Sequence, residues 1–191
     1  MKHLVSLFNN SLLLICMSII IFSACNSRKE RIEKQINILY SNKIDIPSSK
    51  MEVIVYDSMY LHKKPNYRVL VYLDSTECTP CYVSHYHEWE YILKECRKYE
   101  PSISLAIIIE TKNLSEDVKE KFLAPTFDRT ILIDKNGVFR KRNPFFPESQ
   151  IMHVLLLDKE GRVILVGNPL SNKKVEELLY SKLRNSRNMF R

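Results

Sequence analysis

Two cysteines separated by two residues, Cys78 and Cys81, stand in the stretch "DSTECTPCYVSHYHEWE" between Asp74 and Glu90. Thiols at this spacing support several kinds of chemistry. If a helix starts between them, its first turn brings both sulfurs within bonding distance and leaves one exposed for disulfide exchange. With imidazole nearby, thiolates hold a zinc-like metal. Cys78, Cys81 and His85 are the ligands this stretch offers, with His153 as a distant fourth. His87 falls about 200° from His85 on a helix and does not share its face. A pair this close is poorly explained as a purely structural staple. So small a loop adds little by chain entropy beside the ~3 kcal/mol of a longer one.

Positioning a dithiol requires a strand to aim it and a helix to receive it, and both are legible. "YRVLVYLD" (67–74) is a nearly continuous apolar run, the pattern of a strand buried on both faces of a sheet. Residues 82–98 follow as a helix. Its apolar stripe runs through Tyr82, Tyr86, Trp89 and Leu93 and includes Cys96, which reads as a buried hydrophobe. "ISLAIIIE" (103–110) is a second buried strand, and "SEDVKEKFL" (115–123) a helix opened by Ser115 with acids in its first turn. "MEVIVY" (51–56) suggests a further strand. "TILIDKNGVF" (130–139) and "VLLLDKEGRVILVGNP" (154–169) read as strands ending in Asp-Lys-Xaa-Gly turns, which join antiparallel partners naturally. "SNKKVEELLYSKL" (171–183) closes the chain as a helix laid on the sheet. That order predicts an α/β fold whose mixed central sheet has flanking helices and a terminal antiparallel hairpin.

The start of the chain reads as an address. "MKHLVSLFNNSLLLICMSIIIFSAC" has a basic opening, an apolar run from Leu12 to Phe22, and small residues before Cys25. It resembles the lipobox of bacterial lipoproteins. That resemblance implies a signal peptide over residues 1–24, acylation of Cys25 and a membrane-anchored protein of the cell envelope facing the periplasm. Residues 25–50, with Ile32, Ile36 and Leu39 at helical spacing, then form a tether or short amphipathic helix, and 51–187 the folded domain. Disulfides persist in such a compartment.

With Cys-Xaa-Xaa-Cys at the first strand-to-helix junction, the chain resembles the thioredoxin superfamily, and more narrowly the extracytoplasmic TlpA-like and redoxin-type thiol–disulfide proteins. The resemblance runs from Arg68 to Leu183. Its specific parts are "VLVYLDSTECTPC" and, a full α/β unit later, "VLLLDKEGRVILVG". It implies a thioredoxin-like fold and a Cys78–Cys81 catalytic dithiol. Cys78 attacks a substrate disulfide from the helix N-terminus, and the more buried Cys81 resolves the mixed disulfide. The implied partners are extracytoplasmic protein dithiols and disulfides and a membrane electron donor, with no cofactor. Thr79 and Pro80 match the family's residues between the cysteines. Glu77 stands where a tryptophan is usual; a carboxylate there is expected to raise the Cys78 pKa and make the couple more reducing. Met152 takes the place of the family's cis-proline. The acid expected behind the pair has one candidate nearby, Asp74. A metal-binding or non-catalytic module and a thiol peroxidase remain the alternatives.

The bulk properties exclude other classes. The formal charge is +7, yet Lys and Arg are interleaved with acids apart from "FRKRNPFF", and no nucleic-acid-reading motif accompanies them. Three glycines leave no phosphate cradle, and neither a nucleophile elbow nor a zinc-protease helix is present.

Overall fold

The computed structural model describes residues 28–55, 65–124 and 127–189. The signal segment and Cys25 lie outside them. Two compact units divide the chain, residues 1–38 and 39–191. In the first, residues 28–38 are helical, belonging to a helix α1 that covers 28–41. Among the described residues, no helix is long and apolar enough to cross a membrane.

The second unit is built on a six-stranded mixed sheet. Its strands are β1 (Glu52–Val55), β2 (Tyr67–Leu73), β3 (Ile103–Ile109), β4 (Thr130–Ile133), β5 (Val154–Asp158) and β6 (Val163–Val166), arranged β1-β4-β3-β2-β5-β6. β2, β3 and β4 are parallel neighbours. β1 is antiparallel to β4, β5 to β2, and β6 to β5. The expected α/β architecture is therefore present, parallel at its centre and closed by an antiparallel hairpin.

The helices are α2 (Thr79–Ser84), α3 (Glu88–Arg97), α4 (Glu116–Leu123), α5 (Val138–Arg142) and α6 (Lys173–Met189). One core cluster joins Val69, Val71 and Leu73 of β2 and Ile103, Leu105, Ile107 and Ile109 of β3 to Trp89, Leu93 and Cys96 of α3, Phe122 of α4 and Leu183 of α6. The intervening strand positions point the other way, as the two-residue period requires. There Tyr72 stacks on Phe139, centroids 4.8 Å apart, and meets the edge of Phe146 at 5.2 Å. A central strand buried on both faces explains why β2 and β3 read as unbroken apolar runs.

The compact unit begins upstream of β1. Leu39 and Ile44 are buried, and the Ile44 amide donates to the Gly161 carbonyl at 2.8 Å. Gly161 sits at φ 83°, and a Cβ there would lie 2.6 Å from the Ile44 oxygen. Only glycine fits that contact without displacement.

Two expectations are corrected. The helix predicted over 82–98 is two helices with a turn at His85–His87. Val83, Tyr86 and Trp89 are all buried, a spacing of three that suits 3-10 rather than α geometry. The amides of Tyr86 and Trp89 accordingly donate three residues back, to Val83 and Tyr86. The Asp134 turn also departs from expectation. "DKNG" leads into helix α5, not into a second strand. The Asp134 carboxylate accepts from the amides of Val138 at 2.8 Å and Phe139 at 2.7 Å, capping a helix where the pattern suggested a hairpin. The look-alike at Asp158 does form the β5–β6 hairpin.

Candidate functional site

At the end of β2 the chain turns through Asp74–Glu77 and enters α2 at Cys78, its N-cap residue. The Cys81 amide donates to the Cys78 sulfur at 3.3 Å. A helix N-terminus leaves amides without intrahelical acceptors, and here a sulfur takes one of them. Pro80 lies in the first turn, where its missing N–H costs nothing. Thr79 opens the helix beside it. Cys78 and Cys81 are disulfide-bonded, their Cα atoms 5.2 Å apart.

Both cysteines are exposed. The deeper burial expected for Cys81 is absent because α2 is short and buries only Val83. Cys96 is the opposite case: free, fully buried, its thiol pushed up to about 12 by desolvation, with Glu95 adding to the effect.

Behind the disulfide lies a buried polar cluster. Glu77 Oε1 accepts from the Asp74 amide at 3.2 Å and meets His153 Nδ1 at 2.9 Å. His153 is 2% exposed, and its Nε2 lies 3.1 Å from the Pro147 carbonyl oxygen. Asp74 Oδ1 accepts from the amide and hydroxyl of Thr76 at 2.8 and 2.6 Å. Burial pushes the Asp74 carboxyl upward, but the bonds from Thr76 and the charges of His153 and Arg140 leave it below its ordinary value. Arg140 lies 3.7 Å from Asp74 and 3.8 Å from Glu110, with its guanidinium over the Tyr72 ring. The Tyr72 hydroxyl donates to Glu110. Burial, then that bond to a carboxylate, raises the phenol well above its usual range.

The strand β5 side completes the site. Met152 is buried in a short 3-10 turn, Gln150–Met152. Gln150 Nε2 donates to Thr76 Oγ1 at 3.2 Å, tying this turn to the cysteine loop. Among the described residues no peptide bond is cis.

No protein-family model matches the sequence, and no curated protein matches it. Among solved structures the chain is similar to a putative thiol:disulfide interchange protein DsbE from Chlorobium tepidum, at 16% identity and a TM-score of 0.46 over 74% of this chain and 98% of that one. It is similar to the reduced N-terminal domain of PilB from N. meningitidis, at 15% identity and TM-score 0.46 over 73% and 96%. ScoI from Bradyrhizobium japonicum with copper bound is similar at 13% identity and TM-score 0.45 over 71% and 94%.

The metal set suggested by sequence does not assemble. His85 is exposed and its Nδ1 is engaged by Glu88 at 2.9 Å. His87 is exposed in the same turn. Among the described residues, one other group brings three donor atoms within 4.8 Å of one another: Asp74, Glu77 and His153. Of these, Glu77 Oε1 and His153 Nδ1 already meet each other, and Glu77 Oε1 also accepts from the Asp74 amide.

Sequence reasoning singled out Glu77 but gave it no partner, and missed Arg140 in this role. A lone histidine directly before the apolar "VLLL" signals a buried ring. Nothing local signals which carboxylate it meets.

Proposed function

We propose that this protein catalyses thiol–disulfide exchange through Cys78 and Cys81. The observation that carries the reading is a solvent-exposed cysteine pair whose first sulfur caps the N-terminus of α2. There the amide dipoles stabilise negative charge on sulfur. Cys78 as a thiolate attacks a substrate disulfide, forming a mixed disulfide and expelling one substrate thiolate. Cys81 then attacks Cys78 sulfur, closing the intramolecular disulfide and releasing the second thiolate. The substrate leaves reduced by two electrons, and an external dithiol restores the enzyme.

The direction we propose is reduction of extracytoplasmic protein disulfides, recharged by a membrane electron donor. The lipobox-like segment supports acylation at Cys25, envelope location and release of residues 1–24. Thr79 and Pro80 shape the first turn. Met152, buried in the Gln150–Met152 turn beside the site, occupies the position that shapes substrate docking.

Turnover of insulin disulfides or glutathione disulfide by the wild type, lost in Cys78→Ser, is the expected result. A wild type no faster than free thiol would return the domain to a binding role. Mass analysis of the chain from a bacterial envelope tests the anchor: a diacylglyceryl adduct on Cys25 is expected, and an unmodified Met1 terminus would reject it.

A further inference from the structure

His153 has both ring nitrogens against atoms that can only accept when Glu77 is ionised. Nε2 is 3.1 Å from the Pro147 carbonyl oxygen, and Nδ1 is 2.9 Å from Glu77 Oε1. A neutral imidazole carries a single N–H. One of these contacts would then set lone pair against lone pair, inside a site where the ring is 2% exposed. Such a contact is costly away from water. A second proton removes the conflict, and whether it sits on Nδ1 or on Oε1, the Glu77–His153 pair has no net charge.

We propose that His153 is a positioning residue for the dithiol: it cancels the charge of the carboxylate that immediately precedes Cys78. Glu77 then leaves the pull of the α2 amides on the Cys78 sulfur unopposed. The expectation from sequence, a bare carboxylate holding that thiol protonated, omits this partner. The other groups around the ring are consistent with the assignment. Asp74 is 4.0 Å from Nδ1 and is itself answered by Arg140 on α5 at 3.7 Å. Tyr72 of β2 presents its ring at 5.3 Å, with its hydroxyl turned to Glu110, and Phe146 covers the remaining side at 5.4 Å. The function assigned to His153 rests on Cys78 being the reactive sulfur, but the charge pairing does not depend on turnover.

The test therefore uses the reduced full chain and two readouts independent of catalysis. The first is the pH dependence of Cys78 alkylation by iodoacetamide. His153→Gln, which strands the Glu77 charge, is expected to raise the apparent thiol pKa by about 0.5–1 unit, a threefold to tenfold loss of thiolate below it. Glu77→Gln is expected to stay within about 0.3 unit of wild type, because the amide can donate to Nδ1 of a neutral ring and the pair remains uncharged. The double variant should return to wild type. A Glu77→Gln thiol shifted down as far as His153→Gln shifts up, or a double variant that stays shifted, would overturn the proposal. The second readout covers the case in which His153→Gln does not fold. Side-chain ¹⁵N resonances of His153 at pH 7 should show Nε2 protonated, and a proton on Nδ1 or shared with Glu77. A bare Nδ1 beside an ionised carboxylate would overturn it. If the pairing holds while insulin turnover is absent, it is the redox reading that falls.

Discussion

After β2 comes Asp74 and after β4 comes Asp134, and each strand hands over to a helix within a few residues. At the second junction the carboxylate itself caps the helix, taking the amides of Val138 and Phe139 directly. At the first, the carboxylate is turned back onto Thr76, and the N-cap position of the helix falls to Cys78. The two junctions share the order strand, aspartate, loop and helix. They differ in which atom meets the helix N-terminus. An oxygen there ties the corner together; a sulfur there is, on the function proposed above, the nucleophile, because the same amide dipoles favour its ionised form.

The two junctions should differ most when the sulfur is replaced. Cys78→Ser should abolish disulfide turnover while leaving α2 capped by a hydroxyl, so that far-UV circular dichroism and the unfolding midpoint barely change. Retained turnover would mean that the capping atom is not the reacting one. Next in size is Asp134→Ala. It orphans two amides at the α5 N-terminus and is expected to cost about 2–3 kcal/mol in denaturant unfolding, with exchange chemistry unaffected. A loss of turnover at constant stability would show the two junctions to be coupled.

A smaller effect, confined to acid, belongs to Asp74. Its carboxyl titrates lower in the folded chain than in the unfolded one. Its contribution to stability is therefore complete above the ordinary carboxylate range and is lost as pH falls through the depressed folded value. Asp74→Asn should flatten the fall of stability in that acidic window and leave the slope near neutrality unchanged. An unaltered acid limb would remove Asp74 from the account. The smallest effect is expected away from both junctions. Cys96→Ala, a change in the core that caps no helix, should cost about 1 kcal/mol and leave turnover intact. In the folded reduced protein an alkylating reagent should modify Cys78 and Cys81 but not Cys96, whose thiol is held up to about 12.

Much of this molecule was readable in one dimension. The two-faced burial of β2 and β3 shows as uninterrupted apolar runs, since a strand covered on both sides has no reason to alternate. The dithiol and the hairpin at Asp158 were equally legible, whereas the break at His85–His87 that splits the following helix was not. The neighbouring "DKNG" misled because Asp-Lys-Xaa-Gly describes only a bend with a positive φ at its glycine. Gly137 and Gly161 both adopt that conformation, at 61° and 83°. The course of the chain beyond the bend depends on the groups packed across from it. After Gly161 the chain pairs with β5; after Gly137 it presents its amides to Asp134 and its Phe139 ring to Tyr72.

The amino-acid order alone determined that two thiols would meet at the mouth of a helix, because that outcome needs only neighbours within one turn. It also determined which runs would be buried, because burial follows the period of apolar side chains. Tertiary structure decided the electrostatics. Glu77 and His153 are 76 residues apart and meet at 2.9 Å, while Arg140 reaches Asp74 from a different helix. Coulombic and hydrogen-bonding terms depend on distance through space, and no local pattern encodes the distance between strands that the sheet makes neighbours.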